Sequence, residues 1–329
     1  MLTSTTFIVI VVLLAFVFDF INGFHDAANT IATIVTTGVL TPKQAVVWAA
    51  FFNFIGFMVF NLSVAATIGA GLIKPGVIDP GLIFSALIGS IFWGIVTWYY
   101  GLPSSSSHAL VGGLAGAAIA KAGFVSLKLS GFLIVLTGII ISPLVGLLIS
   151  FVFATGLQYA TRNHHEKKLV KPLKIMQLTS SALLGLTHGG NDAQKTMGVI
   201  AGLLFAASWL GDTFYVPFWI IISCQAVISL GTFAGGWRIV HTMGTQITKL
   251  NSMRGCAAEC GAASIIFIAT QCGVPVSTTQ TVTGSIAGVG LIHGWKGTHW
   301  PILRRIFSAW LLTVPAAGSV AAAVYFIFF

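Results

Sequence analysis

The sequence predicts an all-α polytopic membrane protein made of two homologous halves. Three observations predict it: an apolar composition, uncharged runs long enough to cross a bilayer, and anchor motifs that recur at a constant offset. Of 329 residues, 56% are hydrophobic and only 7% charged, with a mean hydropathy of +0.96. Soluble domains carry about a quarter charged residues, so a water-soluble shell could not be built from this chain.

The uncharged runs come next. Residues 130–157, "SGFLIVLTGIIISPLVGLLISFVFATGL", contain no charge and exceed the roughly 20 residues that a hydrocarbon layer requires of a helix. Similar runs lie near 6–24, 44–66, 81–99, 214–234, 255–272 and 306–329. The period-two alternation of a membrane barrel is absent. The opening "MLTSTTFIVIVV" has no Lys or Arg before Lys43, so it reads as a first membrane segment rather than a cleaved signal. About 10–12 membrane segments are expected. One stretch, 7–38, would be about 48 Å long as a straight helix, and it is expected to break or turn back near Gly23.

Net charge is +9. In this composition the excess reads as topology rather than nucleic-acid binding, since Lys and Arg gather in cytoplasmic loops. The strongly polar stretch "TRNHHEKKLVKPLK", 161–174, holds five basic residues against Glu166 and is expected to be a cytoplasmic linker. Trp98 to Tyr100, Trp295 and Trp300 read as interfacial anchors. Cys224, Cys256, Cys260 and Cys272 fall in or beside apolar segments and read as small hydrophobes without a disulfide framework.

The third observation is internal repetition. "GLPSSSSHALVGGLAG" (101–116) superposes on "GVPVSTTQTVTGSIAG" (273–288) at an offset of 172, and the same offset places Pro143 and Gly146 on Pro315 and Gly318. Gly23, Asp26, Ala27 and Thr30 superpose on Gly189, Asp192, Ala193 and Thr196 at an offset of 166. Packed small residues recur by chance; an intramembrane Asp and a Pro-x-Ser run do not readily do so in the same order. The expected organisation is a first membrane repeat over 1–159, a basic cytoplasmic linker over 160–174 and a second repeat over 175–329. The repeats are expected to be inverted and to meet at broken or re-entrant helices, as in secondary transporters.

The repeated motifs suggest a chemistry. Proline suits the first turn of a helix, which would place Ser104 to Ser107 and Ser277 to Thr279 beside N–H groups lacking intrahelical partners. Two such helix starts could face one small anion, although each hydroxyl run could equally cap its own helix. A carboxylate in the membrane interior costs several kcal/mol and marks function by default. Asp26 and Asp192 are such acids, with Asn22, Asn29, Asn191 and Gln194 around them. Unit charges 4 Å apart interact by about 4 kcal/mol at an effective dielectric of 20, so two aspartates beside a doubly charged anion require bound cations. Lys195 occupies the position matching Asn29, and His108 and Gln280 match each other; with His25 they form a second rank of candidates. Lys74 and Asp79 around Pro75-Gly76 read as a loop, and Glu259 as an interfacial residue.

At these residues the chain resembles the inorganic phosphate transporter (PiT) family, in "NGFHDAANTIAT" and "HGGNDAQKTMGV" and in the paired "GLPSSSSH" and "GVPVSTTQ". The "NGFHD" form is nearest to that family's bacterial low-affinity branch. The resemblance covers the chain from about residue 10 onward. It implies symport of inorganic phosphate with H+ or Na+, no cofactor, homodimers and a bacterial cell-membrane location. Carried over residue by residue, it implies a phosphate site at Ser105, Ser106, Ser107, Asn191, Gln194, Ser277, Thr278 and Thr279. It implies a coupling-ion site at Asn22, Asp26, Asn29 and Asp192. His25 and Lys195 depart from the asparagines of many members, which favours H+ and puts a second Na+ site in doubt. A neutral metal–phosphate complex is a further candidate cargo. Symport of another oxyanion such as sulfate stays open, as do an intramembrane hydrolase using the two aspartates and an anion channel.

Overall fold

The computed structural model describes residues 4–74 and 76–329; the first three residues, Pro75 of the expected loop and the side chain of Glu166 lie outside the described residues. Each half contributes five elements in the same order. The first half comprises α1 (Thr5–Thr36), a broken pair α2 (Pro42–Ile55) and α3 (Ser63–Gly71), α4 (Pro80–Tyr99), α5 (Ser106–Ala122) and α6 (Leu129–Thr161). The second comprises α7 (Glu166–Ala206), a broken pair α8 (Phe218–Ala234) and α9 (Trp237–His241), α10 (Ser252–Gln271), α11 (Thr278–Gly290) and α12 (Trp300–Phe328). Five of these helices are long and apolar enough to cross a membrane, seven if each broken pair is one span.

The repeated Gly-x-Pro signature explains two of the turns. Gly101 ends α4 with φ 63°, and Gly273 ends α10 with φ 70°, a left-handed cap that glycine adopts without Cβ strain. The prolines sit two residues before the N-caps rather than in the first helical turn. Ser105 and Ser277 are the caps, accepting from the N–H of His108 and of Gln280, each at 3.2 Å. Thus α4–α5 and α10–α11 are tight hairpins whose tips carry the hydroxyl runs. Asp79 is an N-cap as well, accepting from the N–H of Leu82 at 2.8 Å and pairing with Lys121 of α5 at 2.5 Å.

The halves interlock by exchange: α5 packs on α12, and α11 packs on α6. Glycines make both contacts close. A Cβ on Gly116 would lie 2.1 Å from the carbonyl oxygen of Gly318, and one on Gly288 would lie 2.2 Å from that of Leu147. The outward faces of α6 and α12 expose Leu133, Ile140, Leu144, Leu148, Phe307 and Leu311. An apolar surface of this extent is untenable in water and fits lipid.

Two expectations are corrected. Helix α1 does not break at Gly23 but runs continuously over 32 residues. Gly23 is where α8 crosses, since a Cβ there would lie 2.1 Å from the carbonyl oxygen of Ile228. The breaks fall one element later in each half, with bends of 79° and 63°. The basic stretch 160–174 is mostly helical: only residues 162–165 connect α6 to α7, whose first turns carry the exposed Lys167, Lys168, Lys171 and Lys174.

Candidate functional site

Asp26 on α1 and Asp192 on α7 are 1% and 0% exposed. They meet. One side-chain ligand atom from each of Asp26, His188 and Asp192 lies within 4.8 Å of the other two, a set able to hold a cation.

The two acids lie beneath the starts of α5 and α11. Ser106 donates to Asp26 Oδ2 at 3.0 Å, and its repeat counterpart Thr278 donates to Asp192 Oδ2 at 3.0 Å. Thr279 crosses between the halves to donate to Asp26 Oδ1 at 3.0 Å. Its counterpart Ser107 receives Lys195 Nζ at 2.5 Å. Asn29 Nδ2 reaches Thr279 at 3.1 Å and Thr278 at 3.3 Å. The side chains of Gln280 and His108, matched by the repeat, contact each other at 3.2 Å. In each first turn the two N–H groups not reached by the Ser105 or Ser277 cap, those of Ser106 and Ser107 and of Thr278 and Thr279, have no intrahelical acceptor.

Positive charge is distributed unequally around the acids. Lys195, 1% exposed, bonds Asp192 Oδ1 at 2.6 Å and the carbonyl oxygen of Val276 at 3.0 Å. His188 Nε2 is 3.3 Å from Asp192 Oδ2, while its Nδ1 is 3.2 Å from Asn53 Oδ1. His25 Nδ1 is 2.9 Å from Asp26 Oδ1, and its Nε2 is 3.2 Å from Thr97 Oγ1.

The other sequence-derived candidates divide. Asn22 is 2% exposed with neither amide atom partnered, and Asn29 Oδ1 and Asn191 Oδ1 also lack partners. Asn191 Nδ2 donates to Thr270 on α10 at 2.8 Å. Gln194 turns away from the acids. Its amide donates to the carbonyls of Asn61 and Gly190 and accepts from the N–H of Ala65, bracing the break before α3. A narrow cleft lined by Asn22, His25, Trp93 and Ser104 to Ser106 approaches Asp26 between α1, α4 and α5.

Two buried ionisable residues, His188 and Asp19, escaped the sequence reading. His188 matches Asn22 at the 166 offset, a signal that was there to find. Asp19 is 0% exposed and accepts from Thr196 at 2.7 Å. Glu259, read as interfacial, is 0% exposed and accepts from Thr33, Ser180 and Gln177 at 2.5, 2.5 and 3.2 Å.

The profile of the phosphate transporter family matches residues 22–321. The chain is 51% identical to a probable low-affinity inorganic phosphate transporter of Rhizobium meliloti (strain 1021), over 95% of this chain and 93% of that one. It is 40% identical to a protein of the same description from Bacillus subtilis (strain 168), over 97% and 96%. A solved structure of a sodium-dependent phosphate transporter superposes with a TM-score of 0.87 at 27% identity, covering 98% of this chain and 99% of that one. The chain belongs to the phosphate transporter family, and it is a multi-pass membrane transporter rather than an enzyme.

Proposed function

We propose that the chain carries inorganic phosphate across a bacterial cell membrane by symport with H+, through a site shared by two inverted halves. The observation that carries this reading is the meeting of two buried acids beneath two hydroxyl-bearing helix starts. Those starts offer N–H donors, hydroxyls and the positive ends of two helix dipoles to one oxyanion.

Coupling follows from proton counting. Each hydroxyl has one hydrogen, and Ser106, Thr278 and Thr279 now direct theirs to carboxylates. A cation on the carboxylate competes for the same oxygens and releases the hydroxyl to a phosphate oxygen. Phosphate and cation therefore bind better together than apart, which is the linkage that symport requires.

His25 favours H+ as that cation. Thr97 gives its hydroxyl hydrogen to the carbonyl of Trp93 at 2.9 Å, so His25 Nε2 donates to Thr97. A neutral ring then has a bare Nδ1, and its 2.9 Å contact with Asp26 needs one more proton between them. Na+ is the second reading, favoured by the sodium dependence of the structural neighbour, with Asp26, His188 and Asp192 as its ligands. The same trio would suit a metal ion accompanying phosphate.

Uptake of labelled phosphate into proteoliposomes tests the proposal, with H+ and Na+ gradients imposed separately. Accumulation driven by the H+ gradient, and resistant to equal unlabelled sulfate, is expected. Equilibration without accumulation under either gradient would make the chain a channel, and abolition by equal sulfate would overturn the substrate.

A further inference from the structure

The two halves place different groups at matched positions beside the paired acids, Lys195 in one and Asn29 in the other. In the second half Lys195 Nζ contacts Asp192 Oδ1 at 2.6 Å, Ser107 Oγ at 2.5 Å and the carbonyl oxygen of Val276 at 3.0 Å. Carboxylate, hydroxyl and carbonyl oxygens are the ligands that hard cations take. Val276 precedes the N-cap of α11, so its carbonyl lies outside the helix and is free to point inward. In the first half the repeat aligns Asp26 with Asp192, Thr279 with Ser107, and the main chain of Ser104 with that of Val276. Asn29 stands in the place of Lys195. It is 1% exposed, its Nδ2 bonds Thr278 and Thr279, and its Oδ1 is unpartnered. The second half thus holds a covalently tethered cation where the first presents a neutral amide with a bare oxygen.

We infer that the Lys195 ammonium stands in for one transported cation, so that phosphate travels with one mobile cation fewer than an asparagine at position 195 would require. The inference rests on the symport reading above. A tethered ammonium neutralises Asp192 in every state of the cycle, moves with the protein and never leaves. An amide in its place supplies one more oxygen to the three already there and recreates a site for a monovalent ion.

The test is phosphate binding to purified protein, followed by calorimetry with inorganic phosphate as the titrant. Na+ is varied against choline at constant ionic strength, in the parent and in Lys195→Asn and Lys195→Gln. In the two variants the logarithm of phosphate affinity should rise with the logarithm of Na+ concentration by one unit of slope more than in the parent. Over a tenfold rise in Na+ the variants thus gain about tenfold more affinity than the parent does. Na+ should also raise the melting temperature of both variants, relative to choline, by more than it raises the parent's. Equal slopes and equal Na+ stabilisation in all three proteins would overturn the inference. So would monodisperse variants that bind no phosphate at any Na+ concentration, since Lys195 would then contact phosphate itself. A parent that binds no phosphate removes the transport reading and this inference with it.

Discussion

Replacing Asp192 by Asn tests how the acidic site is stabilised. The Asp192 carboxylate lies 2.6 Å from Lys195 Nζ, and both side chains are at most 1% exposed. At that distance the attraction is about 6 kcal/mol at an effective dielectric of 20. Asp192→Asn removes it and leaves the ammonium with neutral acceptors alone, among them Ser107 Oγ and the Val276 carbonyl. Removing one partner of a buried ion pair costs about 3–5 kcal/mol, because the other charge is left uncompensated. The variant should therefore lose stability as well as transport. The double variant Asp192→Asn/Lys195→Met leaves no isolated charge at the pair and should recover most of the stability while remaining inactive. Thermal melting of purified protein, paired with phosphate counterflow in proteoliposomes, reads both effects. A single variant that melts with the parent, or a double variant no more stable than the single, would refute the pairing.

Other perturbations probe separate parts of the molecule. Thr279→Val keeps the shape but removes the hydroxyl shared by Asp26 and Asn29; a hydrogen bond worth about 1.4 kcal/mol predicts a roughly tenfold loss of phosphate affinity by equilibrium binding. Gly116→Ala forces α5 off α12, where its Cβ would lie 2.1 Å from a carbonyl oxygen; a cost of about 1–3 kcal/mol should lower the melting temperature. Gly156→Ala, with open space around its Cβ, should be neutral or stabilising by up to about 1 kcal/mol. Glu259→Gln sets an NH2 group against donors that now reach a carboxylate; a penalty of about 1–3 kcal/mol should reduce the yield of folded protein, measured by size-exclusion chromatography.

What the sequence revealed was local chemistry that recurs. The hydroxyl runs were legible as helix starts, although Ser105 and Ser277 cap those helices and the prolines lie two residues before them, because a cap acts on its own backbone. The meeting of Asp26 and Asp192 was legible through the repeat, since two like halves bring like residues to one axis. Residues placed by distant partners were not legible. Glu259 depends on Thr33, 226 positions away, and Asp19 on Thr196, 177 away; nothing adjacent to either acid shows that its donors exist. Gly23 misled for a related reason, because the pattern marks a small residue without showing whether the helix bends there or a neighbour crosses. Gln194 misled because it lies within the motif that carries Asp192, yet its helical position points its amide at the backbone of the α3 start.

The most direct test of a single anion site between the halves is to locate a heavy tetrahedral analogue. Arsenate bound to the protein, placed by anomalous scattering, should give one peak between Ser106–Ser107 and Thr278–Thr279, within hydrogen-bond reach of both helix starts. A peak confined to one half, or located away from the aspartates, would contradict a site that both halves build together.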